Sequence, residues 1–277
     1  MNYKTKTQLI FDIFNHLFFI IITLLVILPL LMVLLSSFKT SMELAEYGPL
    51  AFPKSFFYFE NFKTFLVKGN ALIGFFNSSI LVIGGIIINT LLSSMVAYSL
   101  SRFEFKLKKV YFFLFALAMM IPGFVTEIAR FGIITKLGLY DSLIAPLIIY
   151  AGTDIMQLYI YKQFIDRIPK SLDESARIDG CSYFQIYWKI IFPIILPATA
   201  TLAILKGITI FNDMYIPYLY MPTHKTVTTM LMEFAGRSGN WTTLSAGVII
   251  TMLPTFLIFL ILKKYIFDGI VAGAVKE

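Results

Sequence analysis

Long stretches of apolar residues recur along the chain, separated by shorter polar segments. Leu17 to Leu35, Ala71 to Ser101 and Trp241 to Leu262 hold no Asp, Glu, Lys or Arg, and Val110 to Thr126 is equally free of charge but shorter. Ser142 to Tyr161 and Ile190 to Asn212 hold one charge each, Asp154 and Lys206. About 20 apolar residues in a helix cross roughly 30 Å of hydrocarbon, so these runs predict an all-α integral membrane protein of six transmembrane helices. The spans are placed at about 17–37, 73–99, 110–130, 142–161, 190–211 and 243–263. Residues 1–70 then form an N-terminal segment with the first span and an outer loop, 71–265 a five-span core containing the loop 164–189, and 266–277 a tail. Prolines 29, 122, 146, 193, 197 and 254 lie in or beside five runs, and Gly84-Gly85 takes that place in the second. Each is read as an ordinary kink, tolerated because neighbouring helices satisfy the freed backbone.

Composition agrees with a lipid solvent: 58% of the 277 residues are hydrophobic and only 14% are charged. The net charge of +7 is topological. Lys4, Lys6, Arg102, Lys106, Lys108, Lys109, Lys162, Arg167, Lys170, Arg177, Lys189, Lys263, Lys264 and Lys276 fall in one set of alternate loops, 14 residues against 8 on the other side. The denser side is cytoplasmic by the positive-inside rule, which puts both termini in the cytoplasm. These basic residues form no patch interleaved with aromatics, so no nucleic-acid partner is expected. The single cysteine, Cys181, excludes an intrachain disulfide and a cysteine metal cluster. The N-terminal apolar run is long and lacks a small-residue cleavage site, so it is read as a retained helix.

The cytoplasmic loop between spans four and five is the most informative segment. Ser171 and Glu174 have capping-box spacing, which predicts a helix starting at Leu172, and Gly180 supplies a left-handed stop. Ser182 and Gln185 repeat the box. The first short helix has Leu172, Ala176 and Ile178 on an apolar side, opposite Asp173, Glu174, Arg177 and Asp179. Its acidity argues against anionic lipid and for docking in a groove of a partner protein.

Glu174-Ser175-Ala176, three residues, Gly180, nine residues, Ile190, one residue, Phe192-Pro193 resembles the EAA loop of bacterial ATP-binding cassette importer permeases. Ser175 and Phe192 depart mildly from the usual Ala and Leu. Ser37-Phe38-Lys39, Phe211-Asn212-Asp213 with Pro217, and the terminal Gly273-Ala274-Val275-Lys276 are similar to the carbohydrate branch, which includes the smaller permease of maltose uptake. The resemblance implies a type I importer permease fold in a bacterial cell membrane. It makes Leu172, Glu174, Ser175, Ala176, Asp179 and Gly180 the loop that couples to an ATPase, and Gly273, Ala274, Val275 and Lys276 a tail reaching the ATPase dimer. It further implies a second permease subunit, two ATPase subunits that bind ATP and Mg, an extracellular solute-binding protein and a sugar substrate.

Asp154 and Lys206 stand inside spans, where a charge costs about 3 kcal/mol, so they pair with each other, line the translocation path, or, for Lys206, snorkel to an interface. Asn212 and Asp213, near the outer end of span five, are either a solvated loop start or further groups of that path, in contact with sugar or a binding protein. An acidic sugar would suit Lys206. Glu127 and Arg130 are spaced to pair near the outer surface, contributing little. No Gly-rich loop ending in Gly-Lys-Ser/Thr occurs, so this chain is not expected to hydrolyse ATP or carry a cofactor of its own. His16 and His224 make no metal site at familiar spacing, no nucleophilic constellation appears, and the chain is read as a non-enzyme. Two other readings remain open: an ion-coupled secondary carrier using Asp154, and an importer permease for a non-sugar solute.

Overall fold

Hydrocarbon leaves a backbone no partner but itself, and every regular element is helical among the residues that the computed structural model describes, 6–152, 154–236 and 239–274. Three helices are long and apolar enough to cross a membrane unaided: Phe11–Ser37 within Lys6–Ser37, Ala71–Arg102, and Trp241–Ile261 within Trp241–Ala274. Three more spans are pairs of helices meeting at a bend. Lys108–Ala118 and Gly123–Lys136 meet at 98°, Ile144–Ala151 and Ile155–Asp166 at 44°, Tyr183–Ile194 and Leu196–Asn212 at 77°. Each bent pair taken as one span gives six.

The bends correct the expectation of ordinary kinks. Pro29 and Pro254 lie inside helices that continue through them. Pro146 stands in the first turn of Ile144–Ala151, where a missing N–H is harmless, and the fourth span breaks after Ala151 instead. The Gly84-Gly85 pair breaks nothing, because Ala71–Arg102 is one 32-residue helix. Its two glycines admit neighbours: a Cβ on Gly84 would stand 2.7 Å from Leu147, and one on Gly85 would stand 2.6 Å from Ile210. Small residues allow such close helix approach in membranes.

The chain divides into two compact units, residues 1–71 with 230–254 and residues 72–229 with 255–277. In the first, Ser37-Phe38-Lys39 ends the opening helix and organises the segment after it. Phe38 packs against Phe56, Phe59 and Phe62. The fully buried Lys39 donates from Nζ to the carbonyls of Gly48 (2.7 Å) and Pro49 (3.3 Å), and its burial holds the ammonium below its usual pKa, with Glu43 opposing. Asn61 donates to the Ser37 and Lys39 carbonyls at 2.8 and 2.7 Å and accepts from Thr242. The motif is therefore a structural clasp.

The second unit has two apolar clusters. One joins Tyr98, Tyr161, Ile165, Ala176, Tyr187, Ile191 and Leu202, so the second, fourth and fifth spans meet the loop helix there. The other joins Leu81, Ile134, Tyr150, Ile210, Ile216 and Tyr220. The last helix runs to Ala274, through residues 266–274 that were assigned to a tail; after Pro254 no proline occurs in it to stop it. Gly273 and Ala274 close that helix, while Val275 and Lys276 lie outside the described residues.

Candidate functional site

The loop helix runs Lys170–Ile178, starting earlier than its capping signals suggest. Pro169 occupies the N-cap position with no side-chain cap, so the Ser171–Glu174 box does not form. Proline's fixed φ supplies the entry instead. The second box does form: Ser182 Oγ accepts from the Gln185 amide at 3.3 Å, and Gln185 Oε1 accepts from the Ser182 amide at 2.8 Å. Between them Gly180 has φ +82°, and the Cys181 amide reaches back to the Ala176 carbonyl at 2.9 Å. That is the Schellman closure that glycine permits. Arg177 seals the turn by donating to the Cys181 carbonyl (3.1 Å) and covering the Tyr183 ring at 4.5 Å.

The division of faces is not the one read from residue type. Ala176 is buried, yet Leu172, Glu174, Ser175, Ile178, Asp179 and Gly180 are exposed, and Ile178 shows 87% of its surface. Asp173, expected on the wet side, turns inward to Arg102. A nine-residue helix with exposed apolar and acidic groups has the make-up of a docking surface, held from behind by the cluster under Ala176.

The fourth span contains the second site. Its first half ends at Ala151, and the freed carbonyls of Tyr150 and Gly152 accept from Asn89 Nδ2 of the second span at 3.3 and 2.7 Å. Its second half begins at Ile155, capped by Asp154, whose Oδ1 accepts from the amides of Met156 (3.1 Å) and Gln157 (3.3 Å). Asp154 Oδ2 receives Lys206 Nζ of the fifth span at 3.0 Å. Both charges inside the membrane thus neutralise each other, and the carboxylate also stabilises a helix N-terminus. Lys206, the basic residue of the fifth span, is thus paired with the carboxylate of the fourth. Asn89 Oδ1 and Gln157 Oε1 are buried acceptors without a protein partner at this break.

Asn212 and Asp213 close the fifth span elsewhere. Asn212 is exposed, whereas Asp213 caps the helix Tyr215–Tyr220 through the amides of Tyr215 (2.8 Å) and Ile216 (3.2 Å) and accepts from Tyr150 OH at 2.8 Å. The structure brings Asp154 and Lys206 together and gives Asp213 a capping task. Phe211 stacks beside Phe75. Glu127 and Arg130 pair at 3.1 Å, but Glu127 is buried and also accepts from Tyr220 OH, so this is more than a surface contact. Burial and that carboxylate push the Tyr220 hydroxyl's pKa up. Asp141 accepts from Thr223 Oγ1 (2.7 Å) and the Thr223 amide (3.0 Å), which holds its carboxyl below the usual range. Among the described residues no group of three His, Cys, Asp or Glu side chains is placed to hold a metal.

Sequence reasoning gave no structural role to Asn89, took Arg102 only as a sign of topology and put Asp173 on the wet face. The available signals were a lone amide in the middle of an apolar run and an arginine closing an otherwise uncharged span.

Comparison with known proteins comes from three directions. The family described as binding-protein-dependent transport system inner membrane component matches residues 89–271. A probable starch degradation products transport system permease of Thermoanaerobacterium thermosulfurigenes is 34% identical over 93% of this chain and 94% of its own. An arabinooligosaccharides transport system permease of Halalkalibacterium halodurans is 29% identical over 99% of both. In three dimensions, a chain of a bacterial ABC transporter that imports the acidic polysaccharide alginate superposes with a TM-score of 0.82 at 20% identity, covering 96% of this chain and 99% of that one.

Proposed function

The chain belongs to the binding-protein-dependent transport system inner membrane component family, and from that footing we propose that it is the permease subunit of an ATP-driven importer of oligosaccharides. The relatives named for starch products and arabinooligosaccharides support the solute class. The single observation that carries the coupling assignment is the loop helix, whose outer face of Leu172, Glu174 and Ile178 is bare while its inner face is anchored. An ATPase subunit docks on that face, binds ATP and Mg itself, and drives alternating access in the permease. A second permease subunit and an extracellular solute-binding protein complete the complex. Both termini face the cytoplasm of a bacterial cell, by the lysine and arginine distribution.

The solute path runs past the break in the fourth span. Starch products and arabinooligosaccharides are neutral hydroxyl-rich ligands, and the neutralised Asp154–Lys206 pair suits such solutes better than a bare lysine would. The test is purification of tagged chain from native membrane. Wild type is expected to bring down a Walker-type ATPase, and Gly180→Pro to lose it. Wild type without any ATPase, together with uptake that follows an ion gradient, overturns the proposal.

A further inference from the structure

Peptide bonds join the loop helix to the fourth and fifth spans alone, yet a shielded ion pair ties it to the second. Arg102 closes the helix Ala71–Arg102. Its Nε lies 3.0 Å from Asp173 Oδ2, and its second guanidinium nitrogen donates to the Ile168 carbonyl at 2.9 Å. One side chain therefore grips the loop on both sides of the helix start at Lys170. The pair is shielded, with 6% of the Arg102 side chain and 13% of the Asp173 side chain exposed. Around it Tyr98 and Phe103 from the second span's end pack on Tyr183 and Tyr187 of the segment after the loop helix, with ring centres 4.8 Å apart for Phe103 and Tyr183.

Nothing in the stability of a short loop calls for such a pair. Buried ion pairs contribute no more than well-packed apolar residues of the same volume, whereas removing one partner leaves a stranded charge. What an arginine tied to two points of the loop contributes is a fixed angle and register. We infer that Arg102 and Asp173 are positioning residues that form a strut from the loop helix to the second span, so that a thrust on the exposed face of the loop helix moves the second span directly. The inference rests on the proposed docking of an ATPase at that face. The strut has the right separation of duties for it: Asp173 points inward, while Leu172, Glu174 and Ile178 are left to the partner.

The experiment uses the assembled importer in proteoliposomes, in a Cys181→Ser background, with Leu72→Cys as a reporter at the far end of the second span, where the side chain is 73% exposed. The readouts are ATPase content and the change in labelling rate by a membrane-impermeant maleimide when ATP is added. The variant Arg102→Met with Asp173→Leu removes the pair while keeping its volume. It is expected to retain the ATPase at the wild-type level while the ATP-dependent change in labelling falls about tenfold, as the loss of a tightly coupled contact predicts. The reversed pair, Arg102→Asp with Asp173→Arg, is expected to recover part of that change. An undiminished change in the apolar variant overturns the strut, and so does an ATPase content that falls in parallel with the labelling change. If the apolar variant does not assemble, the reversed pair decides: assembly with no ATP-dependent labelling change overturns the strut. Wild type that holds no ATPase overturns the docking assignment beneath it, a result visible before any variant is compared.

Discussion

The loop helix and the break in the fourth span are both short helices with a charged residue near the start, placed in opposite solvents. At the loop, Glu174 and Asp179 face outward and carry no fold-defining contact, while Gly180 and the Ser182–Gln185 box hold the shape. At the break, Asp154 is cap and counter-ion at once, and Asn89 closes the other side. The loop can exchange Glu174 and Asp179 freely because water or a partner solvates them. The break cannot, since each group there satisfies another that has no alternative. Change at the loop should therefore damage coupling, and change at the break should damage the protein.

The largest expected effect comes from that contrast. Lys206→Ala strands Asp154 inside a span, costing about 3 kcal/mol, whereas Lys206→Leu with Asp154→Asn recovers most of it by removing the charge and keeping a capping side chain. Thermal unfolding of the detergent-solubilised complex measures both; equal stability of the single and double variants would erase the distinction. Next, Asn89→Leu leaves two carbonyls unpaired at the break, a loss of about 1–3 kcal/mol by the same assay. At the loop, Gly180→Val forces a β-branched residue to positive φ for about 1–2 kcal/mol, with Gly180→Asn milder. That loss should appear as reduced ATPase co-purification with little change in unfolding temperature, and a global loss instead would mean the loop belongs to the core. Ser182→Ala removes one cap, about 1 kcal/mol, seen as faster amide exchange over residues 183–186.

The smallest effect sharpens the comparison with a partly exposed charge outside the spans. Thr223 lowers the Asp141 pKa, so the link contributes stability above the unfolded carboxylate value and loses it as pH falls through the folded one, below about pH 4. Amide exchange at residues 138–143 and 221–226 is expected to rise only in that range, and Thr223→Ala to flatten the dependence.

How far each region was legible obeys the same division. Apolar runs of span length, the positive φ at Gly180 and the Ser182–Gln185 box were readable because each depends on a few neighbours in sequence. The pairing of Asp154 with Lys206 was readable as one of three options, since a charge in a span needs a partner or an exit, but not which option won. The position of the break was not. It depends on Asn89 of another helix being opposite Gly152, and Pro146, the nearest local signal, points elsewhere. The inward turn of Asp173 was missed for the same reason, because residue type gives it a wet face and only Arg102, on a distant segment, reverses that. Gly84-Gly85 was read as a weak point and serves instead as a contact surface, which requires knowing what lies across from it.

The Asp154–Lys206 pair also fixes an order of events at the ribosome. Asp154 leaves the exit tunnel 52 residues ahead of Lys206, and at roughly 5–20 residues per second that is a delay of about 3–10 s. During that interval the fourth span carries a carboxylate whose counter-ion has not yet been made.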